Sequence, residues 1–262
     1  MIAEGRRVQK ILSSSADKRL IVFDLDGTLA ASKQAIDAEM ARLLAELLAV
    51  RLVAVISGGD WAQFERQLLG HLLAGTNFAN LFLLPTTGTK LYRFDGAWRP
   101  IYAENFTADE RRRVLEALEN AMVAAGLAHE PSWGAKIEDR GSQITFSGLG
   151  QSAPLEAKLR WDPDVGKRHK LKKLLDAWLP DFEVHIGGST SIDITHPGID
   201  KAYGIGKLAT ATGVDLNEML FIGDALYAGG NDAPVREIGV TTLSVSDISE
   251  TRSVIEAVLQ NG

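Results

Sequence analysis

Two carboxylates one residue apart, Asp24 and Asp26, follow the apolar run Leu20 to Phe23 and precede Gly27. A strand that stops at Asp-x-Asp-Gly delivers both acids to the carboxyl edge of a sheet, where open α/β sheets hold ligands. Two carboxylates that close repel unless a cation or a shared proton relieves them, and Mg²⁺ suits an oxygen-only site. Three further groups fall where the pattern of elements breaks: Ser57-Gly58-Gly59, Lys201 and Asp224. Each alone has a plain reading. Ser57 is then a turn residue, Lys201 a solvated lysine, and Asp224 and the run Gly229-Gly230-Asn231-Asp232 ordinary loop formers. The set in this order has the parts of a phosphoryl transfer through an enzyme carboxylate. Asp24 is the expected nucleophile. Asp26 is expected to protonate the leaving oxygen and then to activate the acceptor. The Ser57 hydroxyl and the main chain at Gly58 cradle phosphate, Lys201 offsets its charge, and Asp224 joins Asp24 and Asp26 at the metal.

The elements that position these groups are legible from periodicity. Ile36, Met40, Leu43, Leu44, Leu47 and Leu48 have helical spacing, and Leu52 to Ile56 is a buried strand. Asp60 and Gln63 have the spacing of a capping box for a helix running to about Leu72. Leu81 to Leu84 is a third strand. Strands that alternate with helices make a parallel sheet. The pattern then changes. Lys90 to Ile101 alternates about an Asp95-Gly96 turn and is expected to be a hairpin. A helix opens at the capping box Thr107/Glu110 and stops at Gly126. Strand pairs are expected at Lys136 to Asp139 with Gln143 to Ser147, and at Phe182 to Ile186 with Ser191 to Thr195. Asp162-Pro163 is expected to open a helix to about Leu179 between them. The parallel pattern returns with a helix from Lys201 to Thr212, a strand at Met219 to Ile222, another at Val240 to Val245, and a last helix capped by Ser249. The expected fold class is α/β: a Rossmann-like parallel-sheet core, residues 1–96 and 198–262, interrupted by an α+β cap at 97–197. Residues 1–18 are expected to form a short helix or arm.

Composition narrows the function classes. Lys and Arg number 28 against 34 Asp and Glu, a formal charge of -6, without a long basic run, so nucleic acid is not an expected partner. The chain has no cysteine, which excludes disulfides and thiolate metal sites. No apolar run follows Arg6, Arg7 and Lys10, and no stretch has the length of a membrane span, so neither a secretory leader nor a membrane partner is expected. A cytoplasmic enzyme, with a homodimer left open, fits these bounds.

The run Asp24-Leu25-Asp26-Gly27-Thr28-Leu29, with the three later groups, resembles the motifs of the haloacid dehalogenase superfamily of aspartyl-phosphate phosphotransferases. The insert resembles that of its α/β-capped branch, and the chain is most similar to the eukaryotic-type phosphomannomutases. Segments that carry this are Ile137-Glu138-Asp139-Arg140-Gly141, Ser147-Gly148-Leu149-Gly150, Gly187-Gly188, Ser191-Ile192-Asp193 and Gly198-Ile199-Asp200-Lys201. Gly223-Asp224 with Gly229-Gly230-Asn231-Asp232 resembles the fourth motif, which implies Asn231 at the phosphate. The resemblance further implies that Arg140, Ser191 and Asp193 bind the sugar and a distal phosphate. Family arginines stand here as Lys33, Gln151 and Lys158. A lysine binds phosphate as a point charge without the bidentate fork, and Gln151 loses the charge; Arg160 and Lys136 are the candidates to compensate. These departures lead to the expectation of a Mg²⁺-dependent sugar-phosphate phosphatase, with a hexose phosphate mutase as the alternative.

Overall fold

A computed structural model of the chain describes residues 17–260; the stretch 1–18 read as a helix or arm lies almost wholly outside them. The chain divides into two units. One comprises the described residues up to Ala103 together with those from Asp200 onward, and the other runs from Glu104 to Ile199.

The first unit opens with strand β1 (Leu20–Asp24), helix α1 (Ala38–Val50), β2 (Leu52–Ile56), the short helix α2 (Trp61–Gln67), β3 (Leu81–Leu84) and the hairpin β4 (Lys90–Phe94) and β5 (Trp98–Ala103). The hairpin pairs antiparallel onto β3. Its second strand thus belongs to the sheet of this unit, and the boundary falls after Ala103 rather than at residue 96. The second unit contains α3 (Ala108–Ala125), β6 (Ile137–Asp139), β7 (Ile144–Ser147), α4 (Leu155–Trp161), α5 (Gly166–Trp178), β8 (Glu183–Gly187) and β9 (Ser191–Thr195). The chain then returns to the first unit with α6 (Lys201–Thr212), β10 (Met219–Gly223), α7 (Pro234–Glu237), β11 (Thr241–Ser244) and α8 (Ile248–Leu259).

In the first unit the sheet order is β11-β10-β1-β2-β3-β4-β5, parallel through β3. Strand β1 is the middle one of the five parallel strands and is buried along its whole length. Its alternate residues serve two cores. Ile21 and Phe23 pack with Met40, Leu44 and Leu47 of α1 and with Val254 and Ile255 of α8. Leu20 and Val22 pack with Ile205 and Leu208 of α6. A strand covered on both faces is apolar throughout, which is why this run has no polar residue until Asp24. Burying each such side chain contributes about 1.5–3 kcal/mol.

In the second unit the sheet order is β6-β7-β9-β8, antiparallel. Ile144, Phe146, Ile192 and Ile194 pack on Val114 and Leu118 of α3 and on Leu171 and Leu175 of α5. The alternate residues, Glu138, Thr145, Asp193 and His185, are cross-strand partners and form a polar row on the other face.

Three expected boundaries move. The helix after Asp60 ends at Gln67 and is followed by a single 3-10 turn, Leu69–His71. Asp247, not Ser249, caps the last helix; its side chain accepts from the Glu250 N–H. Asp162-Pro163 does not open a helix. That segment is a turn between α4, which the sequence reading missed, and α5. Among the described residues, no helix is long and apolar enough to cross a membrane.

Asp162 is instead the anchor of a buried ion pair. Its Oδ2 accepts from Arg168 Nε at 2.8 Å, and its two oxygens also accept from the N–H groups of Lys167 and Arg168. Arg168 Nη1 donates onward to the carbonyls of Gly187 and Gly188, fixing the turn from β8 to β9. Burial works against the Asp162 charge, but the Arg168 hydrogen bond and the two N–H groups outweigh it and hold the pKa below the ordinary carboxylate value. The stabilisation is therefore present above that value and lost as pH falls through the folded one. Arg168→Met strands a buried carboxylate and is expected to cost about 3–5 kcal/mol. Arg168→Lys should not restore it, because one ammonium lacks the fork that reaches both Asp162 and the turn. Urea unfolding of the three proteins checks this; a wild-type midpoint for Arg168→Met would refute it.

Candidate active site

The parallel register of β10, β1 and β2 sets their carboxyl ends side by side, with Phe23 opposite Ile222 and Asp24 opposite Ile56. Three sequence-predicted groups therefore meet at one edge of the first unit. The chain leaves β1 through Gly27 at φ +90, a left-handed conformation that a side chain resists, and a Cβ there would also collide with the Asp224 carboxylate. A Cβ at Gly223 would likewise collide with Asp232. These two glycines let acids from two strand ends approach each other.

Asp24, Asp224 and Asp232 each offer a carboxylate oxygen within 4.8 Å of the others. Lys201 enters as the first residue of α6, whose cap Asp200 accepts from the Tyr203 N–H at 2.8 Å. The Lys201 side chain is buried, and its Nζ lies 2.5 Å from Asp24 Oδ1 and 2.5 Å from Asp232 Oδ1. Thr28 Oγ1 donates to Asp224 Oδ1 at 3.3 Å, and the Ala225 N–H donates to Asp232 Oδ2 at 2.9 Å. Burial opposes the charge on Lys201, but Asp24 and Asp232 outweigh it and raise its pKa. Asp24 is raised to about 7; burial is the largest cause, Asp232 and Asp224 add to it, and Lys201 acts the other way. Three carboxylates against one ammonium leave negative charge uncompensated. Hard, convergent oxygens of this kind fit a divalent cation.

Ser57 is buried at the end of β2, where its Oγ accepts from the Gly59 N–H at 3.1 Å. The Ser57-Gly58-Gly59 loop is tied to the next one. The Thr87 N–H donates to the Ser57 carbonyl and the Thr86 N–H to the Gly59 carbonyl. Thr86 and Thr87 both take positive φ, 51 and 58, which is strained for β-branched residues. No sequence signal marked this pair, since two threonines carry no turn signature. Asn231 is exposed in the loop after β10. Asp232, left open as plain loop, belongs to the acidic cluster. The Asp26 carboxylate lies outside that cluster: it accepts from the Lys33 N–H and from the side-chain amides of Gln63 and Gln67. Lys33 has an exposed side chain and a left-handed backbone, φ 59.

The remaining predicted residues belong to the second unit. Asp193 Oδ1 accepts from Gln143 Nε2 at 2.9 Å and from Thr145 Oγ1 at 2.6 Å. Ser191 stands two residues before it on β9, opposite Ser147. Arg140 Nη2 donates to Glu138 Oε2 at 2.7 Å. Lys158 Nζ donates to the Gln151 carbonyl at 3.2 Å, so these two positions are neighbours. The two candidate compensating cations both have partners within the second unit. Lys136 Nζ donates to the carbonyls of Leu127, Ala128 and Glu130, and Arg160 pairs with Glu156 one turn away on the exposed side of α4.

Known proteins resemble the chain over nearly all of it. A profile of the family described as eukaryotic phosphomannomutase matches residues 40–261. A probable phosphomannomutase of Caenorhabditis elegans is 26% identical over 95% of this chain and 98% of its own length. Phosphomannomutase 1 of Homo sapiens is 27% identical over 88% of this chain and 89% of its own. Among solved structures, a Plasmodium falciparum IMP-nucleotidase superposes with a TM-score of 0.72 at 16% identity, over 97% of this chain and 71% of its own. An Aspergillus fumigatus trehalose-6-phosphate phosphatase does so with 0.57 at 19%, over 97% and 96%. At those identities the structural likeness speaks to the fold.

The raised Asp24 pKa has a measurable consequence. Between the ordinary carboxylate value of 3.8 and about 7, the folded state keeps a proton that the unfolded chain has lost, so stability falls as pH rises through that window. In chelator, the wild type should lose more stability across it than Asp24→Asn, and Mg²⁺ should restore the wild type at the upper end. Parallel urea-stability profiles for the two proteins would rule out the uncompensated carboxylate.

Proposed function

The chain belongs to the eukaryotic phosphomannomutase family, within the haloacid dehalogenase superfamily, and we propose that it is a Mg²⁺-dependent hexose phosphate mutase working through an aspartyl phosphate on Asp24. The observation that carries this reading is the buried array in which Lys201 bridges Asp24 and Asp232 beside Asp224.

An ionised Asp24 attacks the substrate phosphorus. The bond to the sugar oxygen breaks, and that oxygen takes a proton from Asp26. In the return half, Asp26 receives the proton of the acceptor hydroxyl as that oxygen attacks the phosphorus and Asp24 is released. Lys201 offsets charge near the phosphoryl oxygens, and Ser57 and the main chain at Gly58, with Asn231, hold them. Mg²⁺ would be held by Asp24, Asp224 and the main-chain carbonyl of Asp26, with Asp232 in support, and would neutralise charge on the phosphoryl oxygens. Lys33, Arg140, Gln151, Lys158, Ser191 and Asp193 would bind the sugar and its non-reacting phosphate. A soluble sugar phosphate as substrate and a cysteine-free chain fit a cytoplasmic enzyme.

Family membership supports the mutase over the hydrolase first expected. One observation favours hydrolysis as the second reading: Gln151 and Lys158 stand where resemblance implies arginines, and Lys136 and Arg160 are each paired within the second unit. A charge-assisted hydrogen bond contributes about 1.5–3 kcal/mol, so each lost contact weakens the hold on the distal phosphate roughly ten- to hundredfold.

The test gives purified protein Mg²⁺ and a panel of hexose 1- and 6-phosphates, with and without a hexose bisphosphate. Isomerisation and phosphate release are both followed. Isomerisation is expected to exceed release when bisphosphate is present, and Gln151→Arg with Lys158→Arg should raise the ratio further. Release that dominates under every condition would make the phosphatase the better reading. Asp24→Asn should abolish both activities, and turnover in that variant would rule out the covalent route.

A further inference from the structure

Asp26 is held on both carboxylate oxygens by amides from one helix face. Gln63 Nε2 donates to Oδ2 at 2.8 Å and Gln67 Nε2 to Oδ1 at 3.2 Å. Residues four apart share a helix face, so α2 presents the two amides together. The Lys33 N–H adds a third donor, at 2.6 Å to Oδ1.

Neither glutamine is explained by helix formation or packing. Gln63 stands at the capping-box position relative to Asp60, and its main-chain N–H does donate to the Asp60 side chain. Its own side chain, however, leaves the first turn and goes to Asp26. Gln67 is buried at the end of α2, and its Oε1 has no hydrogen-bond partner among the described residues. A buried acceptor left unpaired costs stability that an apolar residue of the same size would not. The Gln67 amide cannot turn round, because Nε2 also donates to the Gln34 carbonyl at 2.6 Å and a reversed amide would set two acceptors against each other. Its donor end is locked toward Asp26. Gly59 completes the arrangement, since a Cβ there would overlap the Gln63 amide.

We infer that Gln63 and Gln67 are positioning residues. They clamp the Asp26 carboxylate in one orientation for proton transfer with the sugar oxygen, and Gly59 is the space the clamp needs. The inference rests on the proposed role of Asp26. A carboxylate oxygen accepts up to two hydrogen bonds, so Oδ2 can hold Gln63 and still meet the substrate hydroxyl. The clamp fixes where that meeting occurs, and misplacement by about 1 Å can cost a hundredfold in rate.

The experiment compares Gln63→Met, Gln67→Met and Gly59→Ala, each alone and combined with Asp26→Asn. Steady-state turnover of a hexose phosphate with Mg²⁺ and single-turnover decay of the phosphoenzyme are both measured. Each single variant is expected to lower kcat about ten- to hundredfold with KM unchanged. Gly59→Ala should reproduce Gln63→Met, because the new methyl displaces the Gln63 amide. In the Asp26→Asn background none of the three should slow phosphoenzyme decay further. Gln63 is only half-buried, so Gln63→Met should melt with the wild type even where Gln67→Met does not. Wild-type kcat in folded Gln63→Met and Gly59→Ala, or an equal loss with and without Asp26, would overturn the clamp. An Asp26→Asn enzyme at the wild-type rate would instead defeat the assignment of Asp26 itself, which is a separate outcome.

Discussion

The ammonium of Lys201, buried between Asp24 and Asp232, sets the terms for the rest of the first unit. Burying one charge among apolar residues is costly unless it is paired and hydrogen-bonded. Here the pairing overshoots, because Asp224 brings a third carboxylate to the same point. The protein holds this arrangement with much of its architecture: a central strand buried on both faces, glycines at both strand ends, and a helix capped so that its first residue points inward. Well-packed apolar residues in the same volume would commonly be as stable or more so. The array is better explained by chemistry, since a carboxylate raised to about 7 by burial and like charge is one whose ionised form a bound cation and a phosphoryl group can control.

The core was legible in sequence because its period is simple. Fully apolar runs of strand length, separated by helical spacing, gave β1, β2, β3 and β10 with small errors at the ends. Strand ends carry the chemistry in such sheets, so Asp24, Ser57 and Asp224 could be picked out from position alone. The misses share a different cause, which is that one residue type serves two purposes. Asp162 before a proline reads as a helix start, yet its carboxylate receives the N–H groups of Lys167 and Arg168 and the Arg168 side chain. Gln63 after Asp60 reads as half of a capping box, yet its amide goes to Asp26. Thr86 and Thr87 carry no turn signature, yet they take left-handed backbone conformations to hold the Ser57 loop. Local rules fail at these points because a tertiary partner, invisible to spacing, offers the side chain more than its own element does.

The second unit shows the same logic with weaker signals. One face of its sheet is apolar and fixes the register, since a one-residue slip would turn Ile192 and Ile194 to the polar side. That constraint places Ser191 and Asp193 on a common face with no help from their own chemistry. Asp193 is then oriented by Gln143 and Thr145, two residues that no motif singled out. Resemblance singles out the residues proposed to contact substrate, and packing decides which neighbours aim them.

What separates mutase from hydrolase is therefore not the machinery at Asp24. Every core group that the proposed chemistry calls on lies in the first unit, and both readings use it identically. On the proposed function, the difference would lie in how the cations of the insert hold a phosphate that is not reacting. Lys136 donates to three carbonyls, and Arg160 pairs with Glu156 on the exposed side of α4. Gln151 is neutral, while Lys158 lies against the Gln151 carbonyl. A charged acceptor is a stronger partner for an ammonium than a neutral carbonyl, so on the proposed function Lys158 would still take a phosphate oxygen. It would do so as a point charge without the bidentate fork of an arginine, alongside Arg140, and a point charge fixes position more than orientation. A bisphosphate that must turn over before its second phosphate meets Asp24 needs a hold that is firm in position and free in rotation. On that ground a lysine and a neutral amide at these positions would be compatible with the proposed mutase turnover, at the cost of a shorter residence time for the bisphosphate.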